Sequence, residues 1–551
     1  MKKIFLAALC ITFFMSCKQE KQQAAELVVW EPFDEGSELT EQANHENPRM
    51  RYKLINSKIS DKNDIWRAYD SDLADFSEEK YEALKPLIIE QDIPAIQAAI
   101  RDKKLSHEEL VLFYIYRIRK YESDNQLSLN AVISLNPDVV EEARKLDKEP
   151  FTDGREYSIY GMPVLVKDNI GTSNMYTTAG AAILAENKAK DAFIVDRLQE
   201  NGALILGKAN LSEWAYYFCS GCPVGYSAIG GQTLNPYGRK VFESGGSSSG
   251  SGVATAANYA IATVGTETSG SILSPSSQNS VVGLKPTIGL LSRTGIVPIS
   301  STLDTPGPMT KNVIDNAIFL NAMTGKDNAD AASVASDKDY LKDLKSASLK
   351  GKRLGVIKQL LQDTIYAETV DKLRGFGAEI IEFDPPQVAM NGFLTLLNID
   401  MKYDLPAYLK DHASENIDVA YVKDVVEYNL KDTLVRAPYG QQLFDGIVAD
   451  STTREDFEAI KNTLNTNGKH FFDVPMEEHQ LDAVLSINNY HAGFAAVAKY
   501  PCLTVPMGYK PTGEPISLTF IGKPFTEDAL LKLGYAYEKE TGARKAPENY
   551  Q

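Results

Sequence analysis

Ser244-Gly245-Gly246-Ser247-Ser248-Ser249-Gly250-Ser251-Gly252 is the stretch on which the reading of this chain turns. Glycine and serine at such density ordinarily make a flexible linker. The flanks argue otherwise, because small residues with helical spacing follow at once (253–259), and then a short apolar run (261–264). The stretch is therefore a loop inside a folded unit, where glycine gives backbone freedom and serine gives hydroxyls. A second such loop follows the apolar run, Gly265-Thr266-Glu267-Thr268-Ser269-Gly270-Ser271. Two Ser/Gly loops at the ends of one helix–strand unit make a place where backbone N–H groups face a developing anion.

Outward from this centre, short apolar runs bounded by Gly, Pro, Asn or Asp predict buried strands at 163–166, 203–206, 353–357, 379–383, 481–487, 503–505 and 516–521, besides 261–264. Helical spacing predicts helices at 192–199, 253–259, 313–323, 370–374 and 527–540. A helical pattern also starts at Ile93, and the capping box Ser106-His107-Glu108-Glu109 opens a helix to about Tyr121. The alternation implies an α/β fold whose helices cover a mainly buried sheet. The more charged region 327–475 reads as a helical insertion or lid. Of 551 residues 43% are hydrophobic and 24% charged, which excludes a disordered, collagen-like or coiled-coil bulk. Lys plus Arg number 57 against 74 Asp plus Glu, and a net charge of −17 argues against a nucleic-acid partner.

The start has a basic Met1-Lys2-Lys3, an apolar run at 4–15 and then Ser16-Cys17, the pattern of a lipoprotein-type signal peptide over 1–17. The run is too short to span a bilayer as a helix. The expectation is an exported cell-envelope protein, held to the membrane only by lipid on Cys17. Residues 18–90 read as a tether and N-terminal extension, and 546–551 as a tail. Cys219-Ser220-Gly221-Cys222 reads as a local disulfide or idle thiols. A zinc site lacks further ligands at suitable spacing, so neither metal nor cofactor is expected.

A hydroxyl nucleophile needs a base, yet no histidine lies between His107 and His412. Lysine serves when burial lowers its pKa, and Lys167, Lys208 and Lys285 all stand at strand ends. The residues alone leave these three open, with Lys167 following the cleanest buried strand. Gly246 to Gly250 also fits G-x-S-x-G, with Ser248 as nucleophile and His491 downstream as base. That reading lacks a strand directly before the loop and leaves the second loop unexplained.

GGSSSGSG (245–252), GTETSGSILSP (265–275) and VVGLKPTIGLLSR (281–293) come in order after VLVKDN (164–169), LGKANLSEWA (206–215) and GGQTLNPY (230–237). LDTPGPMT (303–310) and YPCLTVPMG (500–508) follow. Over about 91–545 the chain resembles the amidase signature family, nearest in pattern to its bacterial peptide-amidase-like branch. The resemblance implies one large catalytic domain with a central mixed β-sheet covered by helices on both faces. It also implies hydrolysis of a carboxamide C–N bond through an acyl-enzyme, releasing ammonia or an amine from a small-molecule or peptide amide. Lys167 would be the base, Ser247 a bridging serine behind a cis bond from Gly246, and Ser271 the nucleophile. Backbone N–H groups of Thr268, Ser269, Gly270 and Ser271 would form the oxyanion hole, with Thr266 and Gly246 in support. Leu273 stands where the family often has arginine, which removes a cationic hold on an acidic substrate. Ser269 stands in place of a frequent glycine or aspartate. To accept a proton Lys167 must lose roughly 3 pKa units to burial, about 4 kcal/mol. Two other readings are a tRNA-dependent amidotransferase-like subunit, opposed by the export signal, and an inactive amidase-like binding lipoprotein, opposed by the intact Lys167, Ser247 and Ser271. Tyr490, in Asn488-Asn489-Tyr490-His491, is either a substrate-facing residue or a packed aromatic.

Overall fold

Apolar runs become strands wherever the pattern predicts them, and five more strands appear in the computed structural model, which describes residues 28–152 and 154–551. In chain order they are β1 (Val132–Leu135), β2 (Pro163–Lys167), β3 (Leu204–Ala209), β4 (Tyr226–Ser227), β5 (Gly231–Gln232), β6 (Ala262–Glu267) and β7 (Val282–Lys285). Then come β8 (Thr305–Thr310), β9 (Arg353–Ile357), β10 (Glu379–Phe383), β11 (Ala483–Ile487), β12 (Cys502–Tyr509) and β13 (Pro515–Ile521). Eleven of them form one sheet in the order β1-β3-β2-β6-β8-β7-β12-β13-β11-β9-β10, with β4 and β5 a separate ribbon. β2 runs parallel to β3 and β6, and β9 parallel to β10 and β11, while the remaining pairs are antiparallel. This is the expected mixed α/β sheet, flanked by helices.

β2, β3 and β6 are buried at every residue, as strands covered on both faces must be. The covering helix Val313–Met323 is correspondingly apolar around most of its circumference. The capping box forms as predicted: Glu109 N donates to Ser106 Oγ and Ser106 N to the Glu109 carboxylate, both at 3.0 Å, at the head of helix His107–Glu122. The helix expected at 253–259 starts earlier, as Ser249–Ala256, so the second half of the Gly/Ser stretch is its first turn.

β8 carries Pro306 and Pro308, which speak against a strand in sequence. It is nevertheless central, because β7 reaches only Met309 and Thr310 and leaves the prolines' β7 side unpaired. There a missing N–H costs no ladder bond.

The segment read as tether and extension is a layer of the fold over much of its described length. Trp66, Tyr69, Leu73, Phe76, Tyr81, Leu84 and Ile88 are buried. The Ile55 carbonyl accepts from Gln232 N at 2.7 Å. The region 327–475 holds more than helices, since β9 and β10 extend the sheet edge. Its helices Phe393–Asp411, Val422–Leu430, Gln442–Ala449 and Arg454–Glu478 form a second apolar core with Trp214, Tyr217 and Phe218. The signal segment 1–17, with Cys17, lies outside the described residues. No described helix is long and apolar enough to cross a membrane.

Candidate active site

β2 and β6 are parallel neighbours with Val166 opposite Val264, so Lys167, the last residue of β2, and Thr266, the last but one of β6, arrive together at one end of the sheet. Lys167 is fully buried, and its Nζ donates to Ser247 Oγ at 2.7 Å, to Thr266 Oγ1 at 2.9 Å and to the Thr266 carbonyl at 3.2 Å. Burial drives its pKa from 10.5 down to about 7, against the opposing pull of the Asp304 and Glu267 carboxylates. The fall is of the size a neutral base requires.

The Gly/Ser loop is clamped around this contact. Ser212 N donates to the Ser247 carbonyl at 3.0 Å and Gly250 N to the Asn210 carbonyl at 2.9 Å, both from the LGKANLSEWA stretch. Gly250 must be glycine, because a β-carbon there would sit 2.4 Å from the Ala131 carbonyl oxygen and from Asn210 N. The Gly246–Ser247 peptide bond is cis.

Ser271 ends the second loop, with its carbonyl accepting from Ser248 N at 3.1 Å. Gly270 takes φ +86° just before it, a left-handed conformation that glycine adopts freely. Among the described residues no acceptor is engaged by the backbone N–H groups of Ser269, Gly270 or Ser271, nor does the Ser271 hydroxyl have a partner. Glu267 fixes the next turn by accepting from Ile272 N at 2.7 Å and Leu273 N at 3.0 Å. Lys167, Thr266 and Ser247 are thus joined directly, and Gly246 through its peptide bond to Ser247. Thr268 lines the cavity described below, and the end of the second loop is tied to the first through the Ser271 carbonyl.

The competing residues are committed elsewhere. Lys208 lies 3.6 Å from Asp168 and donates to Thr177 Oγ1 at 3.0 Å, while Lys285 donates to the Tyr500 carbonyl at 2.6 Å. Ser248 Oγ is tied to the Thr266 backbone, donating to its carbonyl at 3.0 Å and accepting from its N–H at 3.1 Å. His491 pairs with Ser486 at 2.7 Å, and burial lowers its pKa to about 4. The G-x-S-x-G reading is thereby overturned, since neither member has a free partner. Tyr490 is exposed rather than packed. Cys219 and Cys222 form a disulfide, and Cys502 is a buried free thiol.

Three contributors escaped the sequence reading. Asn169 donates to Thr266 Oγ1 at 3.0 Å. Asp304 accepts from Thr268 Oγ1 at 2.5 Å and from Ile299 N and Ser300 N at 2.8 Å each. Glu267 is the third. All lie inside quoted motifs, so their presence was visible, but their geometry needed the fold. A cavity of about 320 Å³ opens over this end of the sheet, lined among others by Asn169, Thr266, Thr268, Ile299, Asp304 and Tyr408.

A family model described as Amidase matches residues 109–436. A probable amidase of Arabidopsis thaliana is 36% identical over 84% of this chain and 92% of its own length. The crystal structure of an amidase family protein from Bacillus anthracis is 38% identical, covers 90% of this chain and 99% of that one, and superposes with a TM-score of 0.85. The peptide amidase from Stenotrophomonas maltophilia is 36% identical, with 84% and 99% covered and a TM-score of 0.79. With this sheet, these clamped loops and these relatives, the chain belongs to the amidase family, and it is a hydrolase acting on amides.

Proposed function

We propose that the protein hydrolyses a carboxamide through a Ser271 acyl-enzyme, with a proton relay running from Ser271 through Ser247 to Lys167. The observation that carries this reading is the buried 2.7 Å hydrogen bond from Lys167 to Ser247. A lysine brought to about 7 is neutral in a useful fraction near neutral pH and can accept a proton. Ser271 Oγ then bonds to the carbonyl carbon while its proton passes to Ser247 and that of Ser247 to Lys167. The N–H groups at the end of the second loop bind the oxyanion. Collapse breaks the C–N bond, and the relay returns the proton to the departing ammonia or amine. Water, activated by the same relay, cleaves the ester. Ser247 would carry protons and never bond to carbon.

The likeness to a solved peptide amidase over 84% of the chain makes C-terminal peptide amides the first substrates to test. Ammonia release should be measured on a peptide amide, an aliphatic amide and an anilide. Wild type and the Ser271→Ala and Lys167→Ala variants are compared. Turnover that both substitutions abolish supports the mechanism, and turnover that survives Ser271→Ala sinks it. The start of the chain supports export and lipid attachment at Cys17. Radiolabelled palmitate should enter the wild type and not Cys17→Ala; equal labelling would discard the anchor.

A further inference from the structure

We propose that the acyl group of the substrate carries a positive charge, an inference that rests on the amidase reading above. The cavity of about 320 Å³ is lined by Thr266 and Thr268, from the loop that ends at Ser271, and is the space open to the acyl group of a substrate held there. Its acidic and basic lining residues are Arg293, Asp304, Asp330, Asp404, Asp411 and His412. Arg293 is already spent. Asp330 takes its Nε at 2.8 Å and its Nη2 at 2.5 Å, and the Ser301 carbonyl accepts from the other nitrogen. Burial lowers the pKa of His412, so the ring is neutral near pH 7. Burial raises the pKa of Asp304 and lifts that of Asp404 to about 7, so a cation brought beside them and Asp411 would favour their ionised forms, and no free cation stands among the described lining residues.

An independent feature points the same way. Asn169 is 2% exposed, lines the cavity, and its Oδ1 has no partner among the described residues. Its Nδ2 is held by Thr266 Oγ1, so the orphaned atom is an acceptor that lacks a donor. A buried acceptor without a donor costs about 1–3 kcal/mol, a penalty that a ligand N–H removes. The cavity therefore offers carboxyl groups that a cation would hold ionised and an empty acceptor together. An ammonium or guanidinium group answers both, and a carboxylate answers neither.

The test uses the α-amides of N-acetyl-lysine, N-acetyl-norleucine and N-acetyl-glutamate at low and high salt. Wild type should show kcat/KM at least about tenfold higher for the lysine amide than for the norleucine amide, about 1.4 kcal/mol. The glutamate amide should be slowest, and the spread should shrink as salt screens the lining. Asp411→Asn and Asp404→Asn should each pull the lysine-to-norleucine ratio toward unity, and a ratio within one variant cancels any loss of folded protein. A wild-type ratio of one or less, or a ratio indifferent to both substitutions, overturns the inference. Should no amide turn over, calorimetry with n-butylammonium and butan-1-ol on the Ser271→Ala protein decides it. Tighter binding of the cation keeps the inference while the hydrolytic reading falls, and equal binding removes the inference itself.

Discussion

Lys167 is the residue whose chemistry is most constrained, and its pH dependence follows from its surroundings. Being the proposed base, it works only when neutral, so kcat/KM should rise with pH through about 7 and level off above. A profile flat from about pH 6 to 9 would remove it from that role. Lys167→Ala should cost on the order of 10²–10⁴ in kcat. Asp304 favours the protonated lysine, so Asp304→Asn should move the acid limb to lower pH, even if the rate falls because Ile299 N and Ser300 N lose their acceptor. A limb that moves upward would contradict the electrostatic account. At this scale the sequence was legible in the identities of Lys167, Ser247 and Ser271, which stand in contiguous motifs. It was not legible in Asp304, because only the pairing of β6 with β8 brings that residue beside Thr268.

Elements built from short-range chemistry were equally open to reading. The capping box at Ser106, the small-residue helix and the apolar runs each depend on neighbours in sequence, and each formed. β8 was missed because prolines signal a break, and whether they break a strand depends on where the neighbouring strand stops. The helix Ser249–Ala256 makes a quantitative case for close approach. Gly250→Ala places a methyl group against two backbone walls, which cannot yield as side chains do. Stability should fall by about 1–3 kcal/mol, read as a lower urea midpoint. No loss of stability would mean that the loop and the strand end behind it can separate cheaply. Beyond the loop, Trp214, Ala215 and Tyr216 hold φ of 50°, 53° and 73° in succession. Such a left-handed run is rare outside glycine. It turns the chain from Ser212, which holds the Ser247 carbonyl, toward the helices of the second apolar core.

Across the whole molecule, the two ends of the described chain are structural members. Trp66, Tyr69, Leu73 and Phe76, then Tyr81, Leu84 and Ile88, recur at helical spacing, but dense charge around them masked the signal and the segment read as a tether. A chain beginning at Gln91 loses Trp66, Tyr69, Phe76 and Tyr81 from the core. It should fail to accumulate in soluble form, whereas a chain beginning at Val28 should fold; soluble, active protein from Gln91 onward would show the layer to be dispensable. At the other end Arg544 bridges Glu90 at 2.7 Å, the Ser280 carbonyl at 2.7 Å and Tyr237 OH at 3.2 Å. Arg544→Ala should destabilise by about 2–3 kcal/mol, since Glu90 keeps some water and the loss stays below that of a fully buried pair.

The order of strands also sets a schedule. β12 and β13, the last two strands synthesised, stand in the middle of the sheet and join β7 on one side to β11 on the other. Until they emerge, the blocks built from β1 to β8 and from β9 to β11 share no strand pairing, and each presents an open edge to other chains. Contacts so distant in sequence form slowly. The growing chain is thus kept from closing its sheet early, and a chain that stops between residues 487 and 502 would hold two half-sheets without the strands that join them, each with an edge open to pairing.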